Sequence, residues 1–90
     1  MTQKEINEVA RSIRRDLDGG LIMQRNNGDI HDSFLDLFDR YNGWFNALEI
    51  AGEKEIISKY ERADLQQILN DTFDEQIFWM ANAATDKEGK

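Results

Sequence analysis

None of the 90 residues is proline, so the strongest helix breaker is missing and only glycine can punctuate the chain. The six glycines stand at 19, 20, 28, 43, 52 and 89. Between them the apolar residues recur at helical rather than strand spacing. There is also no cysteine, hence no disulfide framework that could hold a loop-rich fold. The chain must therefore fold by packing amphipathic helices around a shared apolar core. Its 40% apolar and 32% charged residues belong to a folded chain rather than a disordered one. Ninety residues support one domain and not two. The fold class predicted is all-α, a small three- or four-helix bundle with short connections. Residues 1–84 form its single helical domain and 85–90 a disordered C-terminal tail.

The first helix is predicted from Gln3 to Asp18. Thr2 and Glu5 have capping-box spacing, and Ile6, Val9, Ala10, Ile13 and Leu17 form one apolar stripe. Gly19-Gly20 supplies a left-handed stop. Residues 21–31 read as a loop with a helical turn near Leu21–Met23, or as a short hairpin about Asn27-Gly28. The second helix starts at Asp32 or Ser33 and ends before Gly52. Phe34, Leu37, Phe38, Tyr41, Trp44, Phe45 and Leu48 share its apolar face. Gly43 inside it marks a kink or a close helix crossing.

Beyond Glu53 the apolar phase slips between Tyr60 and Leu65. Ile56, Ile57 and Tyr60 keep one phase, and Leu65, Ile68, Leu69, Thr72, Phe73, Gln76, Ile77 and Met80 keep another. Asp64 and Gln67 have capping-box spacing at the slip. Two helices are predicted here, with one long bent helix as the alternative.

Catalytic patterns are missing. Neither a GxGxxG nor a GxxxxGK[ST] loop occurs, and the serines lack the glycine flanks of a nucleophile elbow. His31 is the only histidine. Its neighbours Asp29, Asp32 and Asp36 do not make the ligand sets of zinc or calcium sites. They read instead as acidic residues favoured at a helix N-terminus. The chain is expected to be no enzyme and to hold no cofactor or metal. Its start lacks a signal-peptide core, and no apolar run approaches the ~20 residues of a membrane helix. The expectation is a soluble cytoplasmic protein without membrane contact.

Charge points to the kind of partner. The net charge is −7, and it is uneven. Residues 1–28 carry five Lys/Arg against four Asp/Glu, whereas residues 29–90 carry six against fourteen. Such a chain is repelled by bare nucleic acid and attracted to basic protein surfaces. The arginines at 11, 14 and 15 are interleaved with Glu8 and Asp18, the pattern of a solvated face rather than a groove reader.

Asp32, Asp36 and Asp39 line the outer face of the second helix. Asp71, Asp74 and Glu75 line that of the last. Phe78 projects on a helical wheel among these last acids, where it would anchor a contact that the charges steer. The expected function is a non-enzymatic acidic module. It would occupy a basic surface of a partner protein, including the nucleic-acid-binding surface of a DNA- or RNA-handling one, as small inhibitors, immunity proteins and antitoxins do. The alternative is a structural homodimer or adaptor held by aromatic helix faces, with Trp44, Phe45, Phe73, Phe78 and Trp79 in its interface.

Overall fold

A computed structural model describes the backbone at residues 1–27 and 30–88 and the side chains at residues 1–18 and 34–82. The described residues form three helices: α1 (Gln3–Asn27), α2 (Ile30–Glu53) and α3 (Lys59–Glu88). Each packs on the other two, and the described residues contain no strand. The bundle is a rod of 50 × 19 × 17 Å. No described helix is long and apolar enough to cross a membrane.

The capping box at the start of α1 forms. The Thr2 amide donates to Glu5 Oε1 at 2.9 Å, and the Glu5 amide donates to Thr2 Oγ1 at 3.2 Å. These bonds favour the ionised carboxylate, and the backbone bond from Thr2 is the main reason Glu5 titrates below its ordinary range.

Gly19-Gly20 does not end the helix, which continues to Asn27, and α2 begins at Ile30, so helix replaces the loop or hairpin predicted at 21–31 at all of its described residues. Glycine permits a left-handed stop without compelling one. Each helical glycine costs about 1 kcal/mol relative to alanine. Leu21, Met23, Gln24 and Arg25 are good helix formers, and Leu21 repeats the phase of Leu17 one turn later. Residues 28 and 29, including the Gly28 of the predicted turn, lie outside the described residues.

The predicted split near Asp64 is also displaced. α2 runs through Gly52 and ends at Glu53. Glu55 adopts φ of 60°, its amide bonds the Gly52 carbonyl at 3.1 Å, and the Ile56 amide bonds the Ala51 carbonyl at 2.9 Å. This is a Schellman stop, with a glutamate in the left-handed position that glycine normally fills.

A second capping box then opens α3. The Ser58 amide donates to Glu61 Oε1 at 2.7 Å, and the Glu61 amide donates to Ser58 Oγ at 3.1 Å. Ser58-Lys59-Tyr60-Glu61 carries that signal as plainly as Asp64 and Gln67 do. The serine box wins because it follows directly on the Schellman stop and leaves Leu65 inside an unbroken helix. The bundle therefore has three helices, and the phase slip is a turn at residues 54–58. α3 runs past Ala84 to Glu88.

The core is one cluster. Ile6, Ala10, Ile13 and Leu17 enter it from α1, Leu37 and Leu48 from α2, Ile57 from the turn, and Leu65, Leu69 and Met80 from α3. Ile13, Leu17, Leu37, Leu65 and Leu69 are fully enclosed. The apolar face of α2 is narrower than its periodicity predicts. Tyr41, Trp44 and Ala51 pack against the core, whereas Phe34, Phe38 and Phe45 remain 36 to 41% exposed. Three small helices present too little surface to cover a stripe that wide. Ile56 and Tyr60, read as part of a buried phase, are exposed because the turn carries them outward. Gly43 serves no close crossing, since a Cβ there would meet nothing within 4 Å.

Candidate partner-binding surface

The predicted site residues fall into two groups with different electrostatics. On α2, Asp36 and Asp39 lie away from the core, while the side chain of Asp32 lies outside the described residues. Asp36 accepts a hydrogen bond from Arg40 Nε at 2.7 Å. Arg40 also reaches across to α1, where its Nη1 donates to Asp16 Oδ1 at 2.7 Å and to the Asp16 carbonyl at 3.1 Å. The Trp44 indole N–H donates to the other carboxylate oxygen of Asp16 at 3.0 Å.

This knot holds Arg40 above its ordinary pKa, through the hydrogen bond to Asp36 first and the nearby Asp16 carboxylate as well. It also absorbs Asp36. Of the α2 aspartates with described side chains, Asp39 alone has no hydrogen-bond or ion-pair partner among the described residues. Trp44 is held inside the chain against Asp16 and the core. With Ser12, Arg15, Arg40, Gly43 and Ala47 it lines an open groove between α1 and α2 of about 650 Å³.

The α3 group is unpaired apart from Asp71, which accepts a bond from its own neighbour Gln67 at 2.9 Å. Asp74 and Glu75 are exposed and have no hydrogen-bond or ion-pair partner among the described residues. Phe78 is 60% exposed and Trp79 49%. Their rings meet edge to face with centroids 5.6 Å apart. No lysine or arginine occurs between Ala63 and Asp86, a stretch that carries Asp64, Asp71, Asp74, Glu75 and Asp86. Two exposed aromatic rings thus stand on a stretch of α3 whose own charges are all negative. No described contact joins these residues to Asp36 or Asp39, the acids predicted on α2.

Glu75 also borders a groove of about 370 Å³ between α1 and α3, together with Arg11, Arg14, Arg15, Asp18 and Gln76. The mixed signs there match the interleaving in the sequence and offer no uncancelled basic track. The side-chain amide of Gln76 donates to Asp18 Oδ1 at 3.3 Å, and its side-chain carbonyl oxygen is buried without a partner among the described residues.

Two features were not legible beforehand. The knot of Asp16, Arg40 and Trp44 joins positions 24 and 28 residues apart, which no local spacing announces. The second is a string of rings along the seam of α2 and α3. Phe34 meets Phe38 at 6.1 Å and Phe38 meets Phe73 at 6.5 Å. Phe73 meets Tyr41 at 4.6 Å, and Tyr41 meets Phe45 at 6.1 Å. Among the described residues no three His, Cys, Asp or Glu side chains are grouped to hold a metal ion. Comparison with protein-family models, curated proteins and solved structures gives no match to this chain.

Proposed function

We propose that the protein is a non-enzymatic binding module whose α3 outer face seats the basic surface of a partner protein. The observation that carries this reading is the exposed Phe78–Trp79 pair on a stretch of helix without a single cation. Aromatic rings supply the desolvated anchor of an interface, and surrounding charges of one sign accelerate and orient the encounter. Asp71 and Asp74 are the main steering charges, with Asp39 as an outlying one, and Glu75 adds less because Arg11, Arg14 and Arg15 border the same groove. Asp36 contributes less because Arg40 offsets it.

Carboxylates along a rod present charge as a nucleic-acid backbone does, so the class of partner favoured is a DNA- or RNA-handling protein. Occupying its basic groove would block it sterically, as an inhibitor, immunity protein or antitoxin would. The lack of cysteine suits a reducing compartment such as the cytoplasm.

The test is affinity capture from source-cell lysate with the wild-type chain, Phe78→Ala and the pair Asp71→Lys/Asp74→Lys. The captured partner is then purified and titrated across salt. Loss of Phe78 should weaken binding at least about tenfold, and charge reversal should lower the association rate most at low salt. Competition by duplex nucleic acid identifies the occupied surface. A partner that binds all three chains equally well would sink the proposal.

A further inference from the structure

We infer that the aromatic seam of α2 and α3 is a self-association surface, seated by the same seam of a second copy of this chain. The inference is independent of the α3 outer face. It rests on the five rings of Phe34, Phe38, Tyr41, Phe45 and Phe73, which touch in one unbroken string. Three of them remain more than a third exposed. A continuous exposed apolar patch on a small domain marks a contact surface.

Charge selects the occupant. The chain carries −7, so most approaches of one copy to another bring acid onto acid. The seam is the exception. Its polar groups are internally satisfied: Tyr41 donates to Asn70 Oδ1 at 2.7 Å, and Gln66 donates to Glu49 at 2.6 Å. Glu49 beside the rings also has Arg62 Nη1 at 3.9 Å. The neighbouring Asp36 is drawn to the opposite flank of α2 by Arg40 and Asp16. The rings carry no charge and Glu49 is already paired, so a basic partner gains less here than on the outer face of α3, whereas a second copy would find rings against rings.

A two-fold pairing of seams is self-complementary and closes on itself, which leaves Phe78 and its acids outside the contact.

The experiment is molar mass by light scattering at about 100 µM, a concentration at which a micromolar dimer is formed. It is run in about 0.1 and 1 M salt, where the Debye length is ~10 and ~3 Å. The expected result is twice the 10.5 kDa chain mass. Salt should tighten association, because it screens the residual acid–acid repulsion. That is opposite to its effect on a basic partner.

Phe38→Glu/Phe45→Glu should give a single-chain mass with helical circular dichroism retained, and Phe78→Ala should leave the dimer unchanged. If the double variant loses its helices, cross-linking decides. The chain has no cysteine, so Asn42→Cys beside the seam should be joined by a short bismaleimide, and Ser12→Cys in the groove of α1 and α2 should not. A single-chain mass in both salts overturns the inference. So does a dimer that survives the folded double variant, or cross-linking through Ser12→Cys alone.

Discussion

Glu55 and Asp16 show how single residues set local stability here. An L-residue in the left-handed region costs roughly 1–2 kcal/mol, and Glu55 sits there at φ 60° with an exposed side chain. Glu55→Gly should therefore stabilise the chain by about 1 kcal/mol, after the greater freedom of glycine in the unfolded state is subtracted. Urea denaturation would show it as a higher midpoint at unchanged slope. Asp16 accepts from both Arg40 and Trp44, so Asp16→Ala strips the indole N–H and half the support of the guanidinium. A loss of about 1–2 kcal/mol is expected, because part of the ion-pair energy is already screened by water at these half-exposed positions. The same titration measures it. Neither role could be read from spacing: one depends on a turn that ends a helix without glycine, the other on two helices meeting.

At the scale of elements, local chemistry decided more than glycine count. Both capping boxes, Thr2 with Glu5 and Ser58 with Glu61, close as hydrogen-bond pairs. Ser58→Ala should cost about 1 kcal/mol and fray the first turn of α3, visible as faster amide exchange at residues 60–62.

The carboxylate of Glu61 titrates below its ordinary range, chiefly because the Ser58 amide donates to it, and Glu5 behaves likewise through Thr2. A depressed folded-state pKa contributes stability above the unfolded value near 4.5. That contribution is lost as pH falls through the lower folded value. The Glu5→Gln/Glu61→Gln pair should accordingly flatten the acid limb of a stability–pH curve and leave its shape above pH ~6 unchanged. Gly43 is the opposite case. It lies in helix with open space where a Cβ would stand, so Gly43→Ala should stabilise by about 0.5–1 kcal/mol. Thermal melts would register that as a rise of several degrees, at roughly 4–8 °C per kcal/mol for a domain of this size.

The whole molecule is a slender rod whose core is a single column of side chains. Leu69 is among the fully enclosed side chains, and its truncation in Leu69→Ala would remove about 2–5 kcal/mol, a large part of a small domain's stability. A chain that associates through its seam gains stability by mass action. The melting temperature of the wild type should rise with protein concentration, and that of Phe38→Glu/Phe45→Glu should not. The two proposed surfaces then divide the work by physics. The seam of α2 and α3 joins copies by apolar contact, and the outer face of α3 attracts a basic partner by charge.

Much of the architecture followed from residue order alone. The absence of proline, the apolar stripes of Ile6 to Leu17 and Leu65 to Met80, and the Thr2 box are properties of neighbours within one or two turns. They hold wherever the helix is placed. The acidity of the stretch from Ala63 to Asp86 is likewise a matter of composition.

Tertiary structure decided the rest. Glycine pairs permit a stop without compelling one, so only the structure shows that α1 continues through Gly19-Gly20 to Asn27. Two capping boxes compete between Ser58 and Gln67, and the fold chose the one adjoining the Schellman stop. How wide an apolar face is buried depends on how much surface its neighbours can cover. Three helices of this size leave Phe34, Phe38 and Phe45 at the margin, and a helical wheel cannot know it.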